Sequence, residues 1–246
     1  MTTADSPHRD DRRTAAATEA LVSATRHRLG MGRLLPLGGP SDGAWISERA
    51  AAGVLRRTAA RPGVVIGKLR LGLADPDAVA EPVVPRPPSA LPPGPLRIEA
   101  SLAATDAEPL PAAAAALRSA LLSAAAARLG LVVSEVDLRV TELLDAAPGQ
   151  PTGETAAEGA SADAVRGDEP DGPAGIAAAA VPGVVSLTRM LGSGVHVAAD
   201  HVRVEVAASG DRRTLDVALA VREAVTAAVA GHPPVAVLVT AVVDDA

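Results

Sequence analysis

Five histidines, His8, His27, His196, His201 and His232, are the residues best suited to act as bases or metal ligands. His196 and His201 flank a turn with Asp200, and a His-x3-Asp-His run binds a metal when all three side chains converge. Residues five apart on a strand face opposite ways, and no second cluster supplies further ligands. Solvated turn residues are the expected state, with no metal or other cofactor. Gly192-Ser193-Gly194 offers a hydroxyl on a loop. It lacks the flanking pattern of a nucleophile elbow, and no Lys follows as in a phosphate loop. Asp75-Pro76-Asp77 with Glu81 pairs acids, but a calcium loop needs more oxygen ligands and a central glycine. No nucleophile, base and orienting group can be assembled, so no enzyme is expected.

Arg97 with Glu99, and Arg203 with Glu205, recur at matched places. Spaced by two on a strand, the members of each pair share a face. That face is read as solvated, and as the surface a partner would meet. Arg12-Arg13, Arg26-His27-Arg28 and Arg56-Arg57 make the N-terminal third mildly basic.

The elements that position these residues come in two copies. Arg61-Pro62-Gly63-Val64-Val65 returns as Val181-Pro182-Gly183-Val184-Val185, and Leu96-Arg97-Ile98-Glu99 as Val202-Arg203-Val204-Glu205. Leu117-Arg118-Ser119-Ala120 returns as Val221-Arg222-Glu223-Ala224. Val136, Leu138, Val140 and Thr141 return as Val235, Val237, Val239 and Thr240. A duplicated small unit sets the architecture.

In the first unit Ser47 caps a helix from Glu48 to about Ala60, ended by Pro62-Gly63. Alternation predicts strands at 64–74, from Leu96, and from Val132 to Val140. Leu117, Leu121 and Ala125 line a helix between the last two, stopped by Gly130. The second unit has a short helix at about 174–181 and a hairpin from Val195 to Val206 turning near Asp200. A helix faced by Val217, Val221, Val225 and Val229 follows, then a strand with Val235, Val237 and Val239. Each unit thus reads helix–strand–strand–helix–strand. The fold class is α+β, each small sheet covered on one face by helices.

Residues 1–44 are expected to be a tail with a helix from Thr14 to Leu29, 45–144 the first unit and 174–246 the second. Residues 75–95 hold eight prolines and read as a stiff excursion, suited to be an arm for a partner. Residues 145–173 carry seven acids and one base, accounting for the whole net charge of −6, and are expected to be a disordered linker.

Composition removes several functions. The chain has no Phe or Tyr and one Trp, so it offers no stacking platform for single-stranded nucleic acid and no aromatic cage. The folded part is near neutral, without the basic footprint of a nucleic-acid binder. Cys is absent, which fits a reducing compartment. Residues 1–30 carry Asp and Arg throughout and do not read as a signal peptide. The most apolar stretch, 175–187, is too short for a membrane span.

Pro-Gly-Val after a short helix, a hairpin bearing Val-x-Val-x-Val, an Ala/Val-rich helix and a closing Val-x-Val strand together resemble the alkaline-shock, envelope-stress-response family of Gram-positive bacteria. The family often has Tyr-Gly between second strand and helix, where this chain reads Ser209-Gly210-Asp211-Arg212. The full layout, with Leu34-Leu35-Pro36-Leu37-Gly38, the proline loop and two units, is similar to a group of actinobacterial proteins. Some of these carry a nucleopolyhedrovirus fibrous-body label, for which no coiled-coil heptads are present. The resemblance implies a cytoplasmic protein of interaction or scaffolding type, linked to envelope stress and reaching the membrane only through a partner. The expected surfaces are the faces bearing Arg97, Glu99, Arg203 and Glu205, for a protein partner or self-association. A small-molecule regulatory module with its ligand between the two units is the alternative.

Overall fold

The computed structural model describes residues 31–145 and 167–244. The expected helix at Thr14–Leu29 and most of the acidic linker lie outside them. The fold is α+β, with two sheets.

The first unit runs α1 (Glu48–Thr58), β3 (Val64–Leu73), β4 (Leu96–Thr105), α2 (Leu110–Ala124, continued by a π turn at Ala125–Leu129) and β5 (Val133–Leu144). Its sheet has the order β3-β4-β5, antiparallel then parallel. The second unit runs α3 (Gly172–Ala179), β7 (Val184–Thr188), β8 (Val195–Val197), β9 (Val202–Ser209), α4 (Thr214–Ala228) and β10 (Val235–Val243). Strands β7 and β8 pair along the same side of β9, so together they replace β3, split by the loop 189–194. Strand β10 is parallel to β9, as β5 is to β4.

The repeated Pro-Gly does the same work twice. Gly63 and Gly183 have φ of +73° and +99°, which the third residue of such a turn requires. The N–H of Val64 donates to Arg61 O and that of Val184 to Val181 O. Each glycine carbonyl then accepts from the far end of the second strand, Thr105 N at 2.9 Å and Ser209 N at 2.8 Å.

Register corrects one part of the sequence alignment. Ile98 lies beside Val136, whereas Val204 lies beside Val237. With Arg97 matched to Arg203, Val136 therefore corresponds to Val237 rather than Val235. A slip of two keeps every side chain on its face, so alternation alone does not reveal it.

The second sheet is larger than its repeat. Strands β1 (Leu34–Leu37) and β2 (Ala44–Ser47) extend it from the N-terminal side, with β2 parallel to β10. The first unit was expected to begin near Trp45, but Trp45 is paired with Leu238 in the other unit's sheet. Strand β6 (Gly167–Asp168) pairs with β7 at the opposite edge, and α3 begins at Gly172. The end of the expected linker is therefore structured, because its backbone has β7 to bond to.

One core runs through both units. Val54 and Leu55 of α1, Leu117 and Leu121 of α2, Val204, Val221 of α4 and Val237 belong to a single buried cluster. The π turn ends at Gly130 (φ +87°), where a Cβ would lie 2.5 Å from Leu215 Cβ of α4. The free carbonyls there are met by the other unit: Arg213 Nε donates to Ala126 O at 3.1 Å and Thr214 Oγ1 to Arg128 O at 3.4 Å. Residues Leu110–Leu129 have the length and mean hydropathy of a membrane span, which 175–187 lacks. In this fold Leu117, Leu121 and Leu129 of that helix are buried.

The proline-rich segment is not a free arm. Val83 N donates to Pro40 O at 3.1 Å and Leu91 N to Leu34 O at 2.9 Å. It thereby lays Val84 and Ala90 over Leu34, Trp45, Ala236 and Leu238, on the side of the large sheet away from the helices. Trp45 is 1% exposed, and its indole N–H donates to Leu91 O at 3.2 Å. Truncating an aromatic in such a core costs about 3–5 kcal/mol. Trp45→Ala should lower the unfolding free energy by that amount in a urea titration followed by circular dichroism. A loss below about 1 kcal/mol would show that the proline segment does not depend on this contact.

Candidate functional site

The four residues expected to form one kind of surface occupy two environments. Arg97 and Glu99 lie on the uncovered face of the small sheet. Across it Gly72, Arg97 and Glu135 stand in one row, and Arg70, Glu99 and Asp137 in the next. Arg97 Nε lies 2.6 Å from Glu135 Oε2 and 3.6 Å from Asp137 Oδ2. Exposed pairs of this kind contribute at most about 1 kcal/mol each.

Arg203 and Glu205 are not on a solvated face: they are 9% and 0% exposed. Their neighbours on β10 are Ala236 and Leu238, where β5 presents Glu135 and Asp137. The loop 189–194 closes over Glu205. The amide of Leu191 donates to its carboxylate at 3.0 Å, and Arg203 Nη2 lies 3.5 Å away. Glu205 N donates to Gly194 O, and Gly194 N donates to Asp168 Oδ2 at 2.8 Å. Arg203 Nε is buried with no hydrogen-bond partner among the described residues. The sequence signal for this burial is the unbroken apolar run Val235–Val239, which fits a strand covered on both faces.

Burial raises the Glu205 carboxyl to about 7, against the pull of the Leu191 amide, Arg203 and the Met190 amide, with Asp168 adding to the rise. An acid titrating near neutrality is suited to proton transfer. Here its oxygens are directed at a loop that they hold in place.

The other chemical candidates stay apart. His196 stands opposite Arg203 on β8. His201 Nδ1 is 2.7 Å from Asp200 Oδ1, and this bond holds the Asp200 carboxyl below its ordinary value. Ser193 Oγ donates to Val195 O within its own turn. Asp77 N donates to Asp75 Oδ1 inside the proline segment. His232 Nδ1 lies 2.8 Å from Thr226 O at the end of α4. Among the described residues no group of three or more His, Cys, Asp or Glu could hold a metal. His8 and His27 lie outside those residues.

A cleft lies between the units, where the alternative reading put a ligand, but none of its lining residues was assigned to a ligand from the sequence. Its volume is about 220 Å³, and it is lined by Val54, Arg57 and Thr58 of α1, Arg128 of the π turn, Gly210 and Arg212 before α4, and Val242 and Asp244 at the end of β10. Arg57 Nε is 2.6 Å from Asp244 Oδ2, and Arg128 donates to Gly210 O. These arginines are far apart in sequence, so no local pattern announces the cleft.

Glu205 gives a pH prediction. The folded carboxyl holds its proton to about pH 7, while the unfolded one releases it near the ordinary 4.5. The native state then binds more protons in this window, so its stability falls as pH rises through it. Glu205→Gln should flatten the change in unfolding free energy between about pH 5 and about pH 7.5 by roughly 2–3 kcal/mol. Urea titrations at both pH values measure this. An unchanged slope would mean that Glu205 is ionised in the folded protein throughout.

Compared with protein-family models, curated proteins and solved structures, the chain matches none.

Proposed function

We propose that this is a non-catalytic interaction protein that binds an extended segment of a protein partner along the open edge of β5. The observation that carries the proposal is an asymmetry between the repeats. The edge of β10 is taken by β2, in the register Val237–Ala44, Leu238–Trp45 and Val239–Ile46. The corresponding edge of β5, at Val136, Asp137 and Leu138, has no strand beside it among the described residues. Addition of a strand to an open edge is a common mode of peptide recognition, with backbone bonds for affinity and side chains for selection.

The side chains fit this use. Val140 and Leu143 of β5 are 41% and 63% exposed, and Val132 just before the strand is 52% exposed. Glu135, Asp137, Arg139 and Glu142 stand beside them, and such charges guard an edge against indiscriminate pairing. Support for a non-catalytic role comes from Ser193, His201 and Glu205, which bond to their own loops or to Asp200 rather than to one another. The resemblance to the alkaline-shock family supports a cytoplasmic protein whose partner lies at the cell envelope.

The test is a crosslinked pull-down from cells, comparing wild type with Val140→Lys/Leu143→Lys, with soluble and membrane fractions kept separate. Both positions are exposed, so the variant should melt as the wild type does. A specific partner should be recovered at least about tenfold less by the variant, a loss equivalent to about 1.4 kcal/mol. Equal recovery by the two proteins would overturn the assignment of the edge.

A further inference from the structure

We infer that the cleft between the units is a binding site for a small phosphate-bearing anion, either inorganic phosphate or a phosphomonoester. This is independent of the β5 edge, which lies on a different sheet.

Three arginines from three elements line the cleft, two from the first unit and one from the second. Arg57 comes from α1, Arg128 from the π turn and Arg212 from the turn before α4. Asp244 is the one carboxylate among the lining residues, and its Oδ2 lies 2.6 Å from Arg57 Nε. Arg128 is steadied by its bond to Gly210 O, the carbonyl of the other unit. Arg212 is exposed and has no hydrogen bond or ion pair among the described residues. Its neighbour Asp211 accepts from Ser209 Oγ at 2.5 Å and is not among the lining residues. Among the described residues the lining carries three arginines against one carboxylate. The guanidinium fork matches phosphate oxygens in pairs, which a lysine cannot do.

Size narrows the class. Sites for drug-sized ligands are about 300–1,000 Å³, and this cleft is about 220 Å³. A phosphate group fits, with any ester substituent reaching outward. The buried Val54 and Val242 give the cleft an apolar floor, which strengthens electrostatic contacts above it. The π turn that delivers Arg128 belongs to a class of helix irregularity frequent at functional sites. A ligand held by Arg57, Arg128 and Arg212 touches both units and so stabilises their docking.

The full-length protein can be tested by thermal melting and calorimetric titration with inorganic phosphate and with glycerol 3-phosphate, against sodium chloride at equal ionic strength. Either phosphate compound should raise the melting temperature, because it binds the native state alone. The tighter of the two identifies whether the free ion or the ester is the ligand. Arg212→Ala should weaken binding by about tenfold or more, the value of a charge-assisted hydrogen bond. Arg212→Gln, which keeps the stem as far as Cδ beside Gly183, should weaken it similarly and serves if the alanine variant folds poorly. Asp244→Asn should act in the opposite direction and tighten binding, a change that a purely structural role would not produce. No rise with either compound, or the same affinity in the Arg212 variants as in the wild type, would overturn the site.

Discussion

The structure depends on the placement of Ala44–Ser47 in the sheet of the other repeat. This strand is buried along its whole length, with β1 on one side and β10 on the other. It runs directly into α1, and Ser47 makes the junction. Its hydroxyl donates to Thr240 O at 2.8 Å and accepts from Ala50 N at 3.2 Å, so one side chain ends the strand, caps the helix and ties both to β10. The helix so placed lies between the two sheets and supplies Ala51, Ala52, Val54 and Leu55 to the common core. A chain without Phe or Tyr buries little area per residue in each unit. Sharing a helix and a strand between units offsets that shortage.

The two repeats consequently serve different ends. Matching positions on the second strands carry Arg and Glu in both, yet one pair meets water and the other meets a roof of loop and proline segment. A buried carboxylate is costly unless its oxygens are bonded, and Glu205 meets the cost partly by bonding the Leu191 amide and partly by holding its proton. Thr188 and Thr240, whose hydroxyls lie 2.8 Å apart, join the interior of the same sheet. The repeat with the richer roof has its edges filled, while the other keeps an open face and an open edge.

Local order was legible in the sequence because it depends on local chemistry. The Pro62-Gly63 and Pro182-Gly183 turns, the Ser47 cap, the stop at Gly130 and the Val217-Val221-Val225 face all rest on neighbours within a few residues, and each is present. What escaped depends on partners distant in the chain. Alternation in Val202–Val206 shows which residues share a face, but not that Trp45 extends the other face or that Val84 of the proline segment covers it. The short strands β1, β6 and β7 carry too few residues to show a period. The arginine cleft, assembled from positions 57, 128 and 212, has no local signature at all.

The bond between Ser47 and Thr240 spans 193 residues. During synthesis β2 is made well before β10. At about 5–20 residues per second, roughly 10–40 s separate the appearance of the two strands. Through that interval the apolar Trp45 and Ile46 have no β10 to pair with, and neither sheet has its full core. Contacts this distant also slow folding, because the loop between them must be closed before the pairing contributes. The nascent chain therefore has a long exposed phase, in which chaperone capture or pairing with another nascent copy competes with the native arrangement.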